Sequence, residues 1–378
     1  MEWNGTEPLV NSTISDLYPV PVGIIALLAI LYGSISVAAI IGNSLVISVI
    51  IINKKMQTVT NIFIANLAFA DVILGMFTIP FQFQAALLQR WVVADFMCWV
   101  APFVKDLSVN ISIFTLTCIA IDRYIAVLYP LKAGFKKSVA AVILVFIWVF
   151  GTVSSIPQAL YMKVTQVPEN ATGKTKPFCR PFFPHKDFGR YYFVYLLCIQ
   201  YILPLIVINF SYIRIAYRIW GTKAPGDYIN RRDDIRARNR KKVVKILIIV
   251  VCLFVICWLP LQVYNVVSQV YREVNDYKYI NIIWFCSNWF AMSNSCYNPF
   301  IYGLLNDKFK RAFRRIFWKC CRKLYKDHDF PDFSDDMTIR TSFIHNGKYR
   351  TSMNGSMYSR HHRRSTKLSI ENVDPAMV

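Results

Sequence analysis

Three short stretches place ionisable or polar side chains where an oily chain would not carry them without a use. Asp122, Arg123 and Tyr124 stand together at the end of 107–121, fifteen residues without a charge. Asp71 sits in "NLAFADVILG", the one charge in an apolar run from 56 to 89. Asn294, Ser295 and Asn298 crowd into "NSCYNPFIY". An acid and an arginine side by side on a helix do not face each other, so spacing argues against a simple stabilising pair and for a cation kept at a boundary. A carboxylate at the centre of a membrane helix costs about 2.5–3.5 kcal/mol, so Asp71 needs partners. Asn43, Ser112, Asn294, Ser295 and Asn298 are the candidates. Together they make either a cation site, with sodium the expected ion, or a hydrogen-bonded network with no ion. There is no HExxH, no GxSxG and no evident catalytic pair. An enzyme is not expected, nor any cofactor beyond the sodium at Asp71.

The elements that position these residues follow from composition. Of 378 residues, 55% are hydrophobic and 17% charged, against about 25% charged in a soluble protein. Uncharged stretches run 17–53, 56–70, 72–89, 107–121, 138–162, 191–213, 246–271 and 279–306. Spanning a bilayer takes about 20 residues. The second and third stretches are one span interrupted by Asp71, and 107–121 reaches span length within 96–128. The chain reads as an all-α membrane protein, a seven-transmembrane helix bundle over 22–303. Residues 1–21 precede it without a cleavable signal pattern. Residues 304–321 carry Phe309, Phe313, Ile316 and Phe317 at helical spacing among Lys and Arg, the pattern of a short amphipathic eighth helix on the membrane surface. Residues 322–378 are polar, lack helical periodicity and read as a disordered tail.

Charge orients the spans. The segments 53–61, 130–138, 214–245 and 307–378 carry +2, +3, +8 and +8, which together equal the formal net charge of +21. Positive connections stay in the cytoplasm, so the N-terminus is expected outside and the tail inside. One-sided clustering points to anionic membrane lipid and a cytoplasmic partner rather than nucleic acid. Asn4, Asn11 and Asn170 begin glycosylation sequons on the outer side. Among ten cysteines only Cys98 and Cys179 fall outside the membrane and the cytoplasm, where disulfides persist. They are expected to pair, the alternative being two free thiols. Cys320 and Cys321 follow the amphipathic stretch and are candidates for palmitoylation, or plain juxtamembrane thiols. Pro80, Pro157, Pro204, Pro260 and Pro299 fall within spans and are expected to kink them.

These features together resemble the class A, rhodopsin-like G-protein-coupled receptors over residues 22–320. The resemblance rests on Asn43 in "GNSLV", Asp71 in "NLAFAD", "DRY" at 122–124, Trp148, Pro204 with Tyr212, "CWLP" at 257–260 and "NPFIY" at 298–302, in order and spacing, with Trp91 and Cys98 before the third span. It implies a plasma-membrane receptor in which Arg123 meets a heterotrimeric G protein, is neutralised at rest by Asp122, and is approached by Tyr212 and Tyr302 on activation. Tyr124 completes that motif. Ile113, Pro204, Phe254, Trp258, Pro260 and Pro299 are implied as the activation switch. Receptor kinases and arrestin would read the tail, for instance at Thr338, Ser342 and Ser365. One departure stands out: at the base of the sixth span, where many members carry an acid that locks the arginine, this chain has Arg240.

The ligand class is narrowed by the same resemblance. No Lys lies in 279–306, which disfavours retinal. Lys105 stands eighteen residues before Arg123, on the same helical face after five turns, where amine receptors carry an Asp. Asp106 is rotated away by about 100°, the turn per residue of a helix. Aromatic residues with sparse amides suit a short hydrophobic peptide. Gln84, Lys105, Asp106, Gln262, Tyr264, Asn265, Trp284 and Asn288 are the expected pocket. Within the family, 241–266 and 289–311 resemble the tachykinin and neuropeptide Y receptors, and "WGTKAPGD" at 220–227 resembles invertebrate kinin receptors. The expectation is therefore a receptor for a short amidated, kinin-like neuropeptide, signalling through Gq and calcium release. The alternatives are a tachykinin or a neuropeptide Y/RFamide-like peptide and, from a different class, a membrane transporter.

Overall fold

A computed structural model describes residues 21–88, 90–129, 134–168, 175–221, 231–277 and 279–324. The sequons at Asn4, Asn11 and Asn170, and the tail sites from Thr338 onward, lie outside them.

The first helix, α1 (Val22–Ile52), begins behind Pro21 and ends at Asn53, whose side chain accepts from the Lys55 backbone and starts a single 3₁₀ turn. Thr58 then caps α2 (Val59–Phe77) by accepting from the Asn61 amide. The second span does not continue smoothly. It breaks at Thr78 and resumes as α3 (Ile79–Leu88), because Pro80 has no N–H to continue the helix. The third span, α4 (Met97–Leu128), has 32 residues, about 48 Å at 1.5 Å per residue. It outruns a hydrocarbon core of about 30 Å, so Cys98 and Arg123 sit near its two ends. The fourth is α5 (Lys137–Tyr161).

The fifth span is α6 (Lys186–Leu197) and α7 (Leu203–Gly221), joined by a π-helical turn over Cys198–Ile202. Pro204 accounts for it: the ring excludes the regular bond to residue 200, and the chain widens by one residue to recover pairing. The sixth, α8 (Arg231–Val270), is 40 residues long. It runs some fifteen residues beyond its apolar stretch, through the basic 231–245 segment. The last two are α9 (Ile280–Leu305) and α10 (Asp307–Leu324).

Among the described residues, six spans are long and apolar enough by hydropathy to cross a membrane. The seventh, α9, has no charge but carries Asn281, Ser287, Asn288, Ser293, Asn294, Ser295 and Asn298. These lower its hydropathy, and five of them, Ser287, Asn288, Ser293, Ser295 and Asn298, are buried inside the bundle. Lipid-facing surface is apolar instead: Val142, Phe146, Val149 and Val153 of α5 are all more than half exposed. In α10, Phe309 is fully buried against Tyr302 while Phe317 stays open, so the amphipathic face is shared between the bundle and its surroundings.

One element departs from an all-α reading. The chain after α5 forms an antiparallel hairpin, β1 (Met162–Pro168) with β2 (Thr175–Pro181). A disulfide joins Cys98 at the start of α4 to Cys179 in β2. Met162, Val164 and Cys179 pack there on Trp91, Met97 and Cys98, and the Trp91 amide donates to Pro177 at 2.7 Å.

Candidate functional site

At the inner end of α4, Asp122 is 1% exposed. Its Oδ2 accepts from Arg123 through Nε at 3.1 Å and, more closely, through Nη2. Its Oδ1 accepts the backbone N–H of Phe135 at 2.9 Å. The Arg123 Nη2 also donates to the Thr60 hydroxyl on α2. The two adjacent side chains therefore do pair, contrary to the expectation from helical facing but in line with the neutralisation of Arg123 by Asp122 that the resemblance implies. The long guanidinium folds back along the helix to reach its neighbour. Thr60 and Phe135 were not legible. Gly134 leaves room for this arrangement, since a Cβ there would stand 2.5 Å from Asp122 Oδ1.

Tyr124 turns toward α7, its ring 6.0 Å from Phe210 and 6.4 Å from Tyr129. Tyr212 is buried within electrostatic range of Arg123. Tyr302 stacks on Phe309 at 5.5 Å, and its hydroxyl is buried with no protein partner. Arg240 lies on α8. Two residues on, Lys242 pairs with Asp307 of α10 at 2.6 Å. That bond holds the Asp307 carboxyl below the usual carboxylate range.

Deeper in the bundle, Asp71 is 2% exposed. It accepts from Asn298 Nδ2 at 3.0 Å and from the Ser295 hydroxyl. Asn43 Nδ2 donates to the carbonyls of Ala39 and Ser295, leaving its Oδ1 buried and unpaired. Ser112 is buried but does not bond Asp71, and Asn294 is only half-buried. Of the five expected partners of Asp71, Asn298 and Ser295 bond it, Asn43 joins the group through the Ser295 carbonyl, and Ser112 and Asn294 make no bond to it. In donor type the group suits a small monovalent cation: a carboxylate, serine hydroxyls and an orphaned amide oxygen. Close packing holds it, since a Cβ on Gly42 would lie 2.9 Å from the Pro299 ring. Asn66, not singled out from sequence, ties α2 to two other spans: it accepts from Trp148 Nε1 at 2.9 Å and donates to Thr115 at 2.8 Å. Ile113 and Phe254 are fully buried, and Phe254 stacks on Trp258 at 5.8 Å.

Toward the disulfide end, polar groups are buried without partners among the described residues. Gln84 has both amide atoms unpaired, and Gln200 Nε2, Trp258 Nε1, Asn288 Oδ1 and Trp289 Nε1 are in the same condition. Asn288 is held in place by donating to Tyr32 Oη, which donates onward to Phe285. Gln262 is buried; Lys105, Tyr264, Asn265 and Trp284 are half-buried. Gln200 and Trp289 are among the amide and aromatic residues that the sequence offers for a peptide site. A buried polar group without a partner costs about 1–3 kcal/mol, and several on different spans offer bonding that an outside molecule can complete.

Asp106, of the expected pocket, is 5% exposed and lies within hydrogen-bonding reach of Tyr192, while its Oδ2 is buried with no partner among the described residues. The Tyr192 hydroxyl donates to the Ser154 carbonyl at 3.1 Å. Asp106 faces the fourth and fifth spans because its one-residue rotation from Lys105 turns it into the helix interface.

The family described as 7 transmembrane receptor (rhodopsin family) matches residues 42–302. The chain belongs to it: it is a multi-pass plasma-membrane receptor, not an enzyme. It is 34% identical over 312 residues to the neuromedin-K receptor of Rattus norvegicus, covering 82% of this chain and 68% of that one. It is 32% identical over 313 residues to the tachykinin-like peptides receptor 99D of Drosophila melanogaster, covering 82% and 60%. The substance-P receptor of Meriones unguiculatus is 32% identical over 311 residues, covering 82% and 75%. The chain thus spans about two thirds of the length of such relatives. None of these three is named for the invertebrate kinins, and one is named for tachykinin-like peptides, the neighbourhood that 241–266 and 289–311 resemble.

Proposed function

We propose that this receptor binds a short amidated neuropeptide of tachykinin type from outside the cell and activates a heterotrimeric G protein inside it, with Gq and calcium release as output. The N-terminus is then extracellular and the tail cytoplasmic, as the +21 of one-sided charge favours. The observation that carries the ligand reading is the set of buried, unpaired amide and indole groups on Gln84, Gln200, Asn288 and Trp289. An amidated C-terminus offers a neutral donor and acceptor to such groups, and aromatic ligand side chains suit Trp284 and Tyr264. At the other end, Arg123 is the residue offered to the G protein once Asp122 and Thr60 release it. A sodium ion at Asp71 would favour the resting arrangement. Cys320 and Cys321, on the α10 backbone, are the proposed palmitoylation sites, and the tail the proposed kinase and arrestin substrate.

A kinin-like ligand is the second reading, favoured by "WGTKAPGD", of which only Trp220 and Gly221 fall among the described residues. Calcium release in transfected cells separates the two: amidated tachykinin-type peptides are expected to act at nanomolar concentration, with free acids much weaker. Kinins active where tachykinins are silent would reverse the order of the readings. Silence to every amidated peptide, with the receptor at the cell surface, would sink both.

A further inference from the structure

A second enclosed acid sits where the third, fourth and fifth spans meet. Asp106 and Asn110 are one helical turn apart on α4, so they share a face with Cβ atoms about 5–6 Å apart. Asp106 is 5% exposed and Asn110 is fully buried. Asp106 Oδ2 and Asn110 Oδ1 are both enclosed, and neither has a partner among the described residues. The hydrogens nearby are already committed. The Tyr192 hydroxyl of α6, within reach of Asp106, gives its one hydrogen to the Ser154 carbonyl of α5. Asn110 Nδ2 donates to the Ser155 hydroxyl at 3.3 Å, and Ser155 donates onward to the Gly151 carbonyl at 2.8 Å. The Ser154 hydroxyl is engaged with Tyr195 Oη at 2.9 Å. Lys105 acts on Asp106 only at longer range, and no ion pair joins the two. Among the described residues no hydrogen bond links this group to Asp71, whose partners lie on α9.

The junction is thus rich in acceptors and short of donors. Two acceptor oxygens cannot bond each other. A water could bridge them, but it would leave the carboxylate charge uncompensated away from solvent, which is the costlier defect. A monovalent cation meets both needs. It takes oxygen ligands and balances one carboxylate one for one, whereas a divalent ion would leave excess positive charge near Lys105. The Tyr192 and Ser155 oxygens keep lone pairs for it. We propose that Asp106 and Asn110 hold a monovalent cation, with sodium as the probe, at the junction of α4, α5 and α6. The site is separate from Asp71 and from the peptide set. Its ion fastens the outer half of the fifth span to the third and fourth, ahead of the π-helical turn at Cys198–Ile202.

The test is a melting curve of the full-length, ligand-free receptor carrying Asp71→Asn, so that the deeper carboxylate is silent. Sodium chloride replaces N-methylglucamine chloride at constant ionic strength. Sodium at about 150 mM is expected to raise the melting temperature by about 2–4 °C, the shift for an ion at a few times its dissociation constant. Adding Asp106→Asn, which keeps the shape and removes the charge, should abolish that shift. Adding Asn110→Leu instead, which removes the second oxygen, should raise the sodium concentration at half effect by about tenfold. That variant keeps the question decidable where Asp106→Asn does not reach the cell surface. A melting temperature indifferent to sodium in the Asp71→Asn receptor overturns the inference, leaving water or a proton as occupant. So does a shift that survives Asp106→Asn or is unchanged by Asn110→Leu. A shift that emerges only after Lys105→Gln also overturns it, by making Lys105 the counter-ion. The peptide reading stands or falls apart from all of these, since no peptide is present.

Discussion

Asn66, Asn298 and Arg123, in the middle and at the cytoplasmic end of the proposed orientation, each reach a side chain on another span. Gln84, Gln200 and Trp289, toward the disulfide, are equally enclosed, yet groups on each meet nothing. The two regions share their helices and their apolar surroundings, so burial alone does not explain the difference. In a medium without water every polar group must find a protein partner or carry a cost of order 1–3 kcal/mol. The inner region meets that demand within the chain and gains fixed helix positions. The outer region leaves it open, which stability alone would not favour. The Tyr302 hydroxyl, Asn43 Oδ1 and Asn110 Oδ1 are exceptions in the inner region among the described residues, and the first two lie where the proposed mechanism needs a group to change partner or hold an ion.

The sharpest way to break this contrast is at Arg123. Arg123→Ala is expected to reduce agonist-stimulated GTP exchange by about a hundredfold or more, the scale of a charged contact worth about 3 kcal/mol, while peptide affinity moves less than about threefold. A parallel loss of affinity would show that the two ends are not separable in the way argued here. Next comes the outer set. Trp289→Phe removes an indole N–H that no protein group bonds, so the melting temperature of the ligand-free receptor should hold or rise slightly. Peptide affinity should fall by about tenfold, near 1.4 kcal/mol. The matching inner change, Trp148→Phe, strands Asn66 Oδ1 and should lower the melting temperature with little effect on affinity. If the two substitutions behave alike, the distinction between paired and open regions is wrong.

Asp71→Asn keeps the shape of the network and removes its charge. Agonist affinity should lose its sodium dependence, and signalling should weaken by roughly tenfold. Equal sodium effects on both receptors would place the cation elsewhere. A smaller effect is expected at Gly134, where a methyl group would crowd Asp122 Oδ1. Gly134→Ala should loosen the hold on Arg123 and raise agonist-independent activity a few-fold, read as basal inositol phosphate.

The smallest effect belongs to Lys242 and Asp307, which are 45% and 67% exposed. Lys242 lowers the Asp307 carboxyl, so the pair is intact above the ordinary carboxylate range and is lost only as pH falls through the lowered value. Thermal stability of the Asp307→Asn variant should match the parent from about pH 5 to 8, as expected of an exposed pair. A clear difference there would mean that α8 and α10 depend on this contact.

Much of the molecule is determined by windows of about twenty residues, and that much was legible. Whether a segment is apolar enough to enter a membrane, which connections carry positive charge, and where a proline denies a helix its N–H are local properties. So the spans, the amphipathic α10, the breaks at Pro80 and Pro204 and the Cys98–Cys179 pairing could be read from the residues. Asp71 could be recognised as needing partners, and Ser295 and Asn298 named among them, because an intramembrane carboxylate has few places to go. Which partner a side chain meets depends instead on how each helix is rotated and at what depth it crosses its neighbours, and those are set by packing around the whole bundle. Tertiary structure alone decided that Thr60 and Phe135 hold Asp122 and Arg123, that Asn66 bridges three spans, and that Asp106 turns toward Tyr192. It also decided that residues 162–181 fold into a hairpin with Lys163 facing Arg180. That hairpin is anchored through Cys179 to Cys98, 81 residues earlier in sequence, a contact set by the tertiary fold.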